Sequence, residues 1–193
     1  INKFEKPLEI MMSGNGDPLA SLIYRPLVLN MEPRDNISVR MLTNGLLLKK
    51  LALKLKIKDS IKFLDISIDA GDQETYERVR LGGSWRTLKD NLDYVKDNFD
   101  CHVTLKFVLQ KNNVNSLDNF VKLLEEYNFH GNIMPIEDWS SLTDFKSHDV
   151  FDKEHELYQQ TRDKINVFLD EILTIDRIYR YPILVWQFDL IAP

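Results

Sequence analysis

The amino-acid sequence predicts an α/β fold built on parallel strands. Short apolar or alternating runs, which are typical of strands, are separated along the first 139 residues by longer stretches with helical periodicity. Strands separated by helices of this size need crossover connections, which join parallel neighbours in a sheet or barrel and are right-handed. The 193 residues, 44% of them hydrophobic, are enough for one sizeable core.

Five strands and five helices follow from this alternation. The strands are short and apolar or alternating, and they are predicted at 8–12, 37–42, 61–68, 102–109 and 132–136. The helices have apolar residues three and four positions apart, and they are predicted at 17–30, 46–57, 73–98 with breaks, 116–128 and 152–173. Lysines interleave with leucines around 46–57, which favours a solvated helix face over a membrane or RNA surface.

The chain divides at the end of the fifth predicted strand. Residues 1–139 contain the strand–helix alternation, whereas 140–193 hold a polar loop, one helix with Asp152 as its expected N-cap, and an aromatic-rich tail. We expect this C-terminal part to pack on the core or on a further extension.

The charge, the hydrophobic runs and the cysteine content argue against several classes of protein. The net charge is −5 and no basic patch dominates any segment, which argues against a nucleic-acid-binding protein. No apolar run is long enough to span a membrane. The single cysteine, Cys101, rules out an internal disulfide framework and is expected to be a small buried residue. Both features predict a cytoplasmic protein.

Four glycines mark the loops where a ligand is expected. Each lies just past the carboxyl end of a predicted strand, where parallel α/β folds build their ligand sites, and they are Gly14, Gly16, Gly45 and Gly71. Glycine allows positive φ and close approach of a ligand to the backbone. The alternative is a set of ordinary tight turns.

The first of these loops favours a positively charged ligand. Residues 12–19 contain a Gly-x-Gly pair but lack the third glycine of a dinucleotide-binding loop. Asp17 directly precedes Pro18, and its carboxylate occupies the helix start that a phosphate would need. An ammonium group suits this loop better. Asp17 as a plain helix N-cap is the alternative.

The third strand and the helix after it add polar candidates. Alternation places Asp65, Ser67 and Asp69 on one face of the strand, which indicates a wet interior or else the solvated face of an edge strand. Arg80 offers a planar fork that could hold a carboxylate, although an ordinary surface ion pair is the alternative.

Taken in order, these motifs resemble the radical S-adenosylmethionine (SAM) superfamily, in its branch that modifies peptides and small molecules and often has a cysteine-rich C-terminal extension. The resemblance covers roughly residues 8–139 and implies a partial (β/α)6 TIM-like barrel with an extra C-terminal helix. The matching segments are 14–18, 43–45, 67–70, 76–80, 108–113 and 133–136.

The resemblance implies a role for each of these segments in binding SAM. It places Gly14, Asn15, Gly16 and Asp17 at the methionine amino group. Arg80 then lies at the carboxylate and Ser67 at the ribose. The remaining expected cofactor-binding positions are Asn44, Asp69 and, where backbone meets adenine, Ile136.

The resemblance also implies an enzyme with an iron–sulfur (4Fe–4S) cluster, an electron donor such as a flavodoxin or ferredoxin, and a 5′-deoxyadenosyl radical that attacks a peptide or small molecule. The Cys-x-x-x-Cys-x-x-Cys loop that ligates the cluster is absent from this sequence, which starts at the expected second strand. We expect the first βα unit and its cysteines within about 40–80 residues upstream of residue 1. By itself this chain is expected to be inactive.

Substrate contacts are expected on the fourth strand. Alternation places Thr104, Lys106 and Gln110 on its inward side, and no set of histidines or cysteines has metal-ligand spacing. Two other interpretations remain. One is a non-catalytic binding or scaffold module of the same fold that has lost its cluster. The other is a (β/α)-barrel lyase or aldolase fragment, which needs a Schiff-base lysine or a phosphate loop at the strand ends.

Overall fold

The fold was analysed in a computed structural model of the chain. It describes residues 5–13, 16–138, 144–172 and 178–180, with 167–172 and 178–180 described by their backbone alone. Gly14, Asn15, Trp139 and the tail beyond residue 180 lie outside them, so the division at 139/140 stays a prediction.

The strands form one sheet whose order follows the chain, β1 to β6. Strand β1 pairs in parallel with β2, β2 with β3, and β5 with β6. The strands are β1 (Leu8–Met12), β2 (Ile37–Thr43), β3 (Ile61–Ser67), β4 (His102–Leu109), β5 (His130–Pro135) and β6 (Ile178–Arg180). The predicted parallel α/β class is therefore confirmed.

In the described part of the chain, seven α-helices connect or follow the strands. They are α1 (Tyr24–Asn30), α2 (Leu48–Leu51), α3 (Gln73–Val79), α4 (Trp85–Asn98), α5 (Leu117–Tyr127), α6 (Phe145–His148) and α7 (Tyr158–Ile172). Short 3₁₀ turns lie at Ala52–Lys54, Lys58–Ser60 and Val114–Ser116. Among the described residues, no helix is both long and apolar enough to cross a membrane.

The chain forms two compact units, each assembled from two stretches of sequence. The first contains Ile1–Ser67 and Gly83–Leu105, and the second contains Ile68–Gly82 and Lys106–Pro193. Strand β4 is thus divided between them after Leu105. Fully buried aliphatic side chains fill the first unit, among them Met41, Leu48, Ile66, Leu88 and Leu92. In the second unit the rings of Phe107 and Phe120 lie 4.9 Å apart.

Three predicted helices differ from the structure. The helix expected at 17–30 begins only at Tyr24, because the Ser21 hydroxyl accepts hydrogen bonds from the backbone of residues 23 and 24 in a preceding turn. The helix expected at 46–57 is the short α2 followed by 3₁₀ turns, and Leu55 adopts an extended conformation. Asp152 caps no helix, since α7 begins at Tyr158 and the Asp152 carboxylate accepts from the backbone of Glu154 within a turn.

The thiol of Cys101 is half-buried at the start of β4. Burial raises its pKa to about 11, with a smaller contribution from the adjacent Asp100. Since the thiolate is the reactive form, we expect alkylation by iodoacetamide to be slow at pH 8 and to accelerate steeply above pH 10. Mass spectrometry of pH-stepped samples measures this, with free glutathione as the reference thiol. Glutathione-like reactivity at pH 8 would contradict it.

Candidate functional site

In the first unit, Asp17 joins the loop after β1 to the loop after β2. Its Oδ1 accepts hydrogen bonds from the backbone N–H groups of Leu19 at 2.8 Å and Ala20 at 3.1 Å. Its Oδ2 accepts from the Thr43 hydroxyl and from the backbone of Asn44, both at 2.6 Å. The two loops that the sequence singled out separately are therefore connected through one carboxylate.

These four donors use the acceptor capacity of the Asp17 carboxylate, which offers about four lone-pair sites. An ammonium group nearby would still be attracted by its negative charge. A direct hydrogen bond to that ammonium would have to replace one of the four donors. The neighbouring Gly16 is exposed and has φ of +116°, whereas Gly14 and Asn15 lie outside the described residues.

The glycine after β2 is required by packing as well as by conformation. Gly45 has φ of +80°, and a Cβ there would lie 2.8 Å from Cγ2 of Ile66 and 3.3 Å from Cδ1 of Leu88. The Asn44 side chain accepts from the backbone of Leu46 at 3.0 Å and so closes the turn. This tight turn keeps Asn44 beside Asp17.

In the second unit, Asp69 is held in an unusual backbone conformation at the end of β3. It has φ of +54°, which few residues other than glycine adopt, and it is only 8% exposed. Its Oδ1 accepts from the backbone of Val108 at 2.8 Å, and its carbonyl oxygen accepts from Nδ2 of Asn113 at 3.0 Å. These bonds attach Asp69, which follows β3 by two residues, to Val108 in β4 and to Asn113 in the loop after β4, all within the second unit.

Arg80 pairs with Asp69. It lies directly after the last residue of α3, and its Nη2 forms an ion pair with Oδ2 of Asp69. Its Nε is buried and has no hydrogen-bond partner among the described residues. The sequence left two roles open for Arg80, binding of a ligand carboxylate or an ordinary surface ion pair. In the structure Arg80 forms a partly buried ion pair, and its Nε–H group is left without an acceptor among the described residues.

The charge environment of Asp69 combines burial with two nearby cations. Burial raises the pKa of its carboxyl, and the positive charges of Arg80 and, more weakly, Lys106 lower it; the burial effect is larger. The negative charge of Asp69 is thus balanced in part by Arg80 and, more weakly, by Lys106. A guanidinium such as that of Arg80 can also bind a carboxylate from a ligand.

The remaining predicted site residues differ in exposure. Lys106, Gln110 and Ile136 are half-buried, whereas Thr104 is almost fully buried at 6%. The predicted alternation of β4 holds, because Val103, Leu105, Phe107 and Leu109 are all buried. Ser67 is half-buried at the end of β3. That all predicted positions surround one ligand stays a prediction; the structure brings together Asp17 with Asn44 and Asp69 with Arg80.

A supporting network around the start of α3 was missed from the sequence. Asp72 is the N-cap of α3, and its Oδ1 accepts a hydrogen bond from the backbone N–H of Thr75 at 2.9 Å. Its Oδ2 accepts a hydrogen bond from the Ser116 hydroxyl. The Ser116 oxygen in turn accepts from the backbone of Gly71 at 2.8 Å. Asp72 directly before the helical pattern that begins at Gln73 is an N-cap signal that could have been found, whereas its partner Ser116 has no local signal.

This network predicts a pH-dependent contribution to stability. Burial raises the pKa of Asp72, but the hydrogen bonds from Ser116 and Thr75 outweigh that effect and the pKa is lowered overall. The stabilisation is therefore present above the unfolded pKa of about 3.9 and is lost as the pH falls through the lower folded value. We expect Asp72→Ala to cost about 1 kcal/mol at pH 7 and clearly less below pH 3.

Urea unfolding of wild type and Asp72→Ala at both pH values measures this difference. Asp72→Asn serves as the control, because asparagine also caps helices but does not titrate. A free-energy difference between wild type and Asp72→Ala that is the same at pH 3 and pH 7 would contradict the role of the charge.

The residues present do not fit an iron–sulfur cluster. Such a cluster needs three thiolates, and the sequence contains one cysteine, whose raised pKa disfavours the thiolate. The described residues also contain no group of three or more His, Cys, Asp or Glu side chains placed to hold a metal ion. By contrast, Arg80 has a buried Nε without a hydrogen-bond partner among the described residues, and a guanidinium suits a carboxylate.

Comparison with known proteins bears on the family and the fold of the chain. The family model described as "Radical SAM superfamily" matches residues 1–124. The fold is similar to Streptococcus suis SuiB bound to precursor peptide SuiA, with a TM-score of 0.62 and 15% sequence identity over 90% of this chain. It is also similar to native anSMEcpe with bound AdoMet and Cp18Cys peptide, with a TM-score of 0.60 and 15% identity over 93% of this chain.

These likenesses confirm the predicted partial-barrel α/β fold. A second structure of SuiB, bound to S-adenosylmethionine, gives a TM-score of 0.59 at 16% identity. The chain spans only 37% of the SuiB chain in the peptide complex and 51% of the anSMEcpe chain. Comparison with curated proteins gives no significant match.

Proposed function

Because the chain belongs to the radical SAM superfamily, we propose that it is the SAM-binding core of an enzyme that modifies a peptide or a small molecule. The observation that carries this proposal is the pairing of Asp69 and Arg80 just after β3, where a guanidinium keeps one N–H donor without a partner among the described residues. The family match over residues 1–124 covers both of these residues.

The proposal gives each segment one part of SAM to bind. Asp17, which accepts hydrogen bonds from Thr43 and Asn44, attracts the amino group through its charge, and Gly14, Asn15 and Gly16 are the further proposed contacts of that group. Arg80 receives the carboxylate, Ser67 meets the ribose, and the backbone near Ile136 meets the adenine. When bound, SAM supplies the radical chemistry, while the protein binds it, orients it and excludes water.

We propose that the cysteines for the 4Fe–4S cluster come from outside residues 1–193, as does the contact with an electron donor such as a flavodoxin or ferredoxin. The exposed apolar surface of the first unit supports a missing neighbour. Strand β1 is an edge strand, and large apolar side chains on and near it are exposed, among them Met11, Leu22, Ile23 and Leu27. The free thiol of Cys101 favours a reducing compartment, and we propose the cytoplasm.

For the substrate we favour a peptide, because SuiB and anSMEcpe are described in complex with peptides. Lys106 and Gln110 are the proposed contacts, since both are half-buried on the polar side of β4. Thr104 on the same side is almost fully buried, so it would contact substrate only through a small exposed area.

This proposal predicts weak binding of SAM by the chain alone. Each polar contact contributes about 0.5–1.5 kcal/mol, against an association cost of at least about 4 kcal/mol. The expected Kd is on the order of 0.1–1 mM. Titration of a ¹⁵N-labelled sample with SAM, followed by NMR, measures it, and adenosine serves as the control ligand. Absence of saturable shifts up to about 10 mM SAM would contradict the proposal.

The catalytic part of the proposal has its own test. After anaerobic incubation with reductant, iron, sulfide and SAM, the chain by itself is expected to release no 5′-deoxyadenosine, because three thiolates are needed to hold the cluster. Chromatography detects the product. Release of 5′-deoxyadenosine by this chain alone would show that cluster ligands have been overlooked. An upstream gene sequence without a cysteine triplet would favour the scaffold module that has lost its cluster instead.

A further inference from the structure

We propose that Asp69 is a positioning residue, which holds the guanidinium of Arg80 in the orientation that receives the carboxylate of SAM. This inference rests on the proposed function, because it takes the SAM carboxylate to be the ligand of Arg80. It assigns to Asp69 a role through Arg80 rather than a contact with SAM of its own.

Arg80 needs such an anchor because its own attachment is weak. It follows the seven-residue helix α3 as the C-cap, where its backbone N–H donates to the carbonyl of Tyr76. An arginine side chain is long and flexible, and ordering it costs up to about 2 kcal/mol of conformational entropy. In the structure its head group is held by the ion pair between Nη2 and Oδ2 of Asp69.

Asp69 is well suited to be that anchor because its own position is fixed from three directions. Its side chain accepts from the backbone of Val108, and its carbonyl oxygen accepts from Asn113. Its backbone N–H donates to the carbonyl of Lys106 at 3.2 Å. Asn113 is itself 1% exposed and donates to the carbonyl of Val108 at 2.8 Å. The carboxylate therefore has little freedom to move.

The guanidinium that Asp69 holds is incompletely used. It has five N–H donors, and Nε is buried without an acceptor in the described part of the chain. The side chain is 31% exposed, so part of the fork is open to a ligand. A planar carboxylate accepts two parallel hydrogen bonds from such a fork, which makes its orientation as important as its charge.

The effect of removing the Asp69 charge on SAM binding tests the inference, because attraction by charge alone predicts tighter binding and a positioning role predicts weaker binding. Removing the negative charge of Asp69 leaves Arg80 and Lys106 without their counter-ion, and simple Coulomb attraction for an anion would then increase. If Asp69 positions Arg80, removal of its charge instead weakens SAM binding, because the guanidinium is no longer held in one orientation.

The experiment compares SAM with an analogue that lacks the carboxylate, by NMR titration of this chain. In wild type we expect SAM to bind about tenfold more tightly than the analogue. Asp69→Asn can still accept the hydrogen bond from the backbone of Val108. We expect it to weaken the binding of SAM about tenfold and the binding of the analogue less than twofold. Arg80→Gln should weaken the binding of the two ligands by the same factors. When Asp69→Asn is added to Arg80→Gln, the affinity for SAM should fall less than twofold further.

The matched control is Glu74→Gln. Like Asp69→Asn, it removes a carboxylate that is paired with an arginine, but the partner of Glu74 is Arg78, in an exposed i,i+4 pair on α3. It should leave both affinities unchanged. Equal weakening of both ligands by Asp69→Asn, or an additive loss in the double variant, would overturn the inference and leave the proposed function intact. If wild type binds SAM with no preference over the analogue, both the carboxylate role of Arg80 and the inference fail.

Discussion

Replacing Gly71 with alanine is expected to reduce the stability of the protein by at least about 3 kcal/mol. A Cβ at this position would lie 2.5 Å from Cα of Phe120 and closer still to its backbone nitrogen. The obstacle is the backbone of α5, which cannot rotate away as a side chain can. Relief would require a shift of α5, and the Phe107–Phe120 ring contact would be lost with it.

Urea unfolding followed by far-UV circular dichroism measures this loss, and for a chain of this size the Tm should fall by roughly 6–12 °C. Gly82→Ala is the control. Gly82 has φ of +80°, but nothing lies within 4 Å of an added Cβ, so only backbone strain of about 1–2 kcal/mol is expected. Equal losses at both positions would show that overlap with α5 is not the cause.

Asp17→Ala is expected to lower the free energy of unfolding by about 2–4 kcal/mol, the second large effect. The substitution removes the acceptor of four hydrogen bonds at once. Two of the donors lie at the end of β2 and directly after it, and the side chain of one of them, Thr43, is only 3% exposed. A buried donor left without a partner costs about 1–3 kcal/mol, whereas the more exposed donors can turn to water.

Two variants separate the connection between loops from simple turn formation. Asp17→Asn keeps an oxygen for Leu19 and Ala20 but presents an NH₂ group to Asn44, so about half of the loss is expected. Ser21→Ala removes only local, exposed bonds to residues 23 and 24 and should cost less than about 1 kcal/mol. A loss for Asp17→Ala no larger than that for Ser21→Ala, measured by urea unfolding, would contradict the proposed connection.

The strands could be predicted from the sequence because their signal is local. Apolar residues at period two in β2 and β4 gave bounds within a residue of those observed, and parallel pairing followed from the helices between them. The helix at 46–57 was predicted wrongly for a physical reason. Leu48, Leu51, Ala52 and Leu55 are all buried, as they would be on one helix face, yet successive tight turns bury the same positions.

The site was predicted as separate residues and not as pairs. Asp69 and Arg80 were each identified from local motifs, but their ion pair depends on how α3 returns toward the end of β3, which the sequence pattern does not specify. Gly71 was expected to admit a ligand, and the structure instead places the α5 backbone against it. The Asp17 contacts cross between loops 26 and 27 residues apart, beyond the range of any local signal.

The division of β4 between the two compact units has a consequence for synthesis on the ribosome. Residues 68–82 of the second unit leave the ribosome before residues 83–105, which complete the first. Neither unit is therefore a continuous segment: the first is complete only once residue 105 has emerged, and the second only once residues 106–193 have been made. The first must wait until β4 has emerged, and during that time its apolar strands stay exposed to other chains and to chaperones.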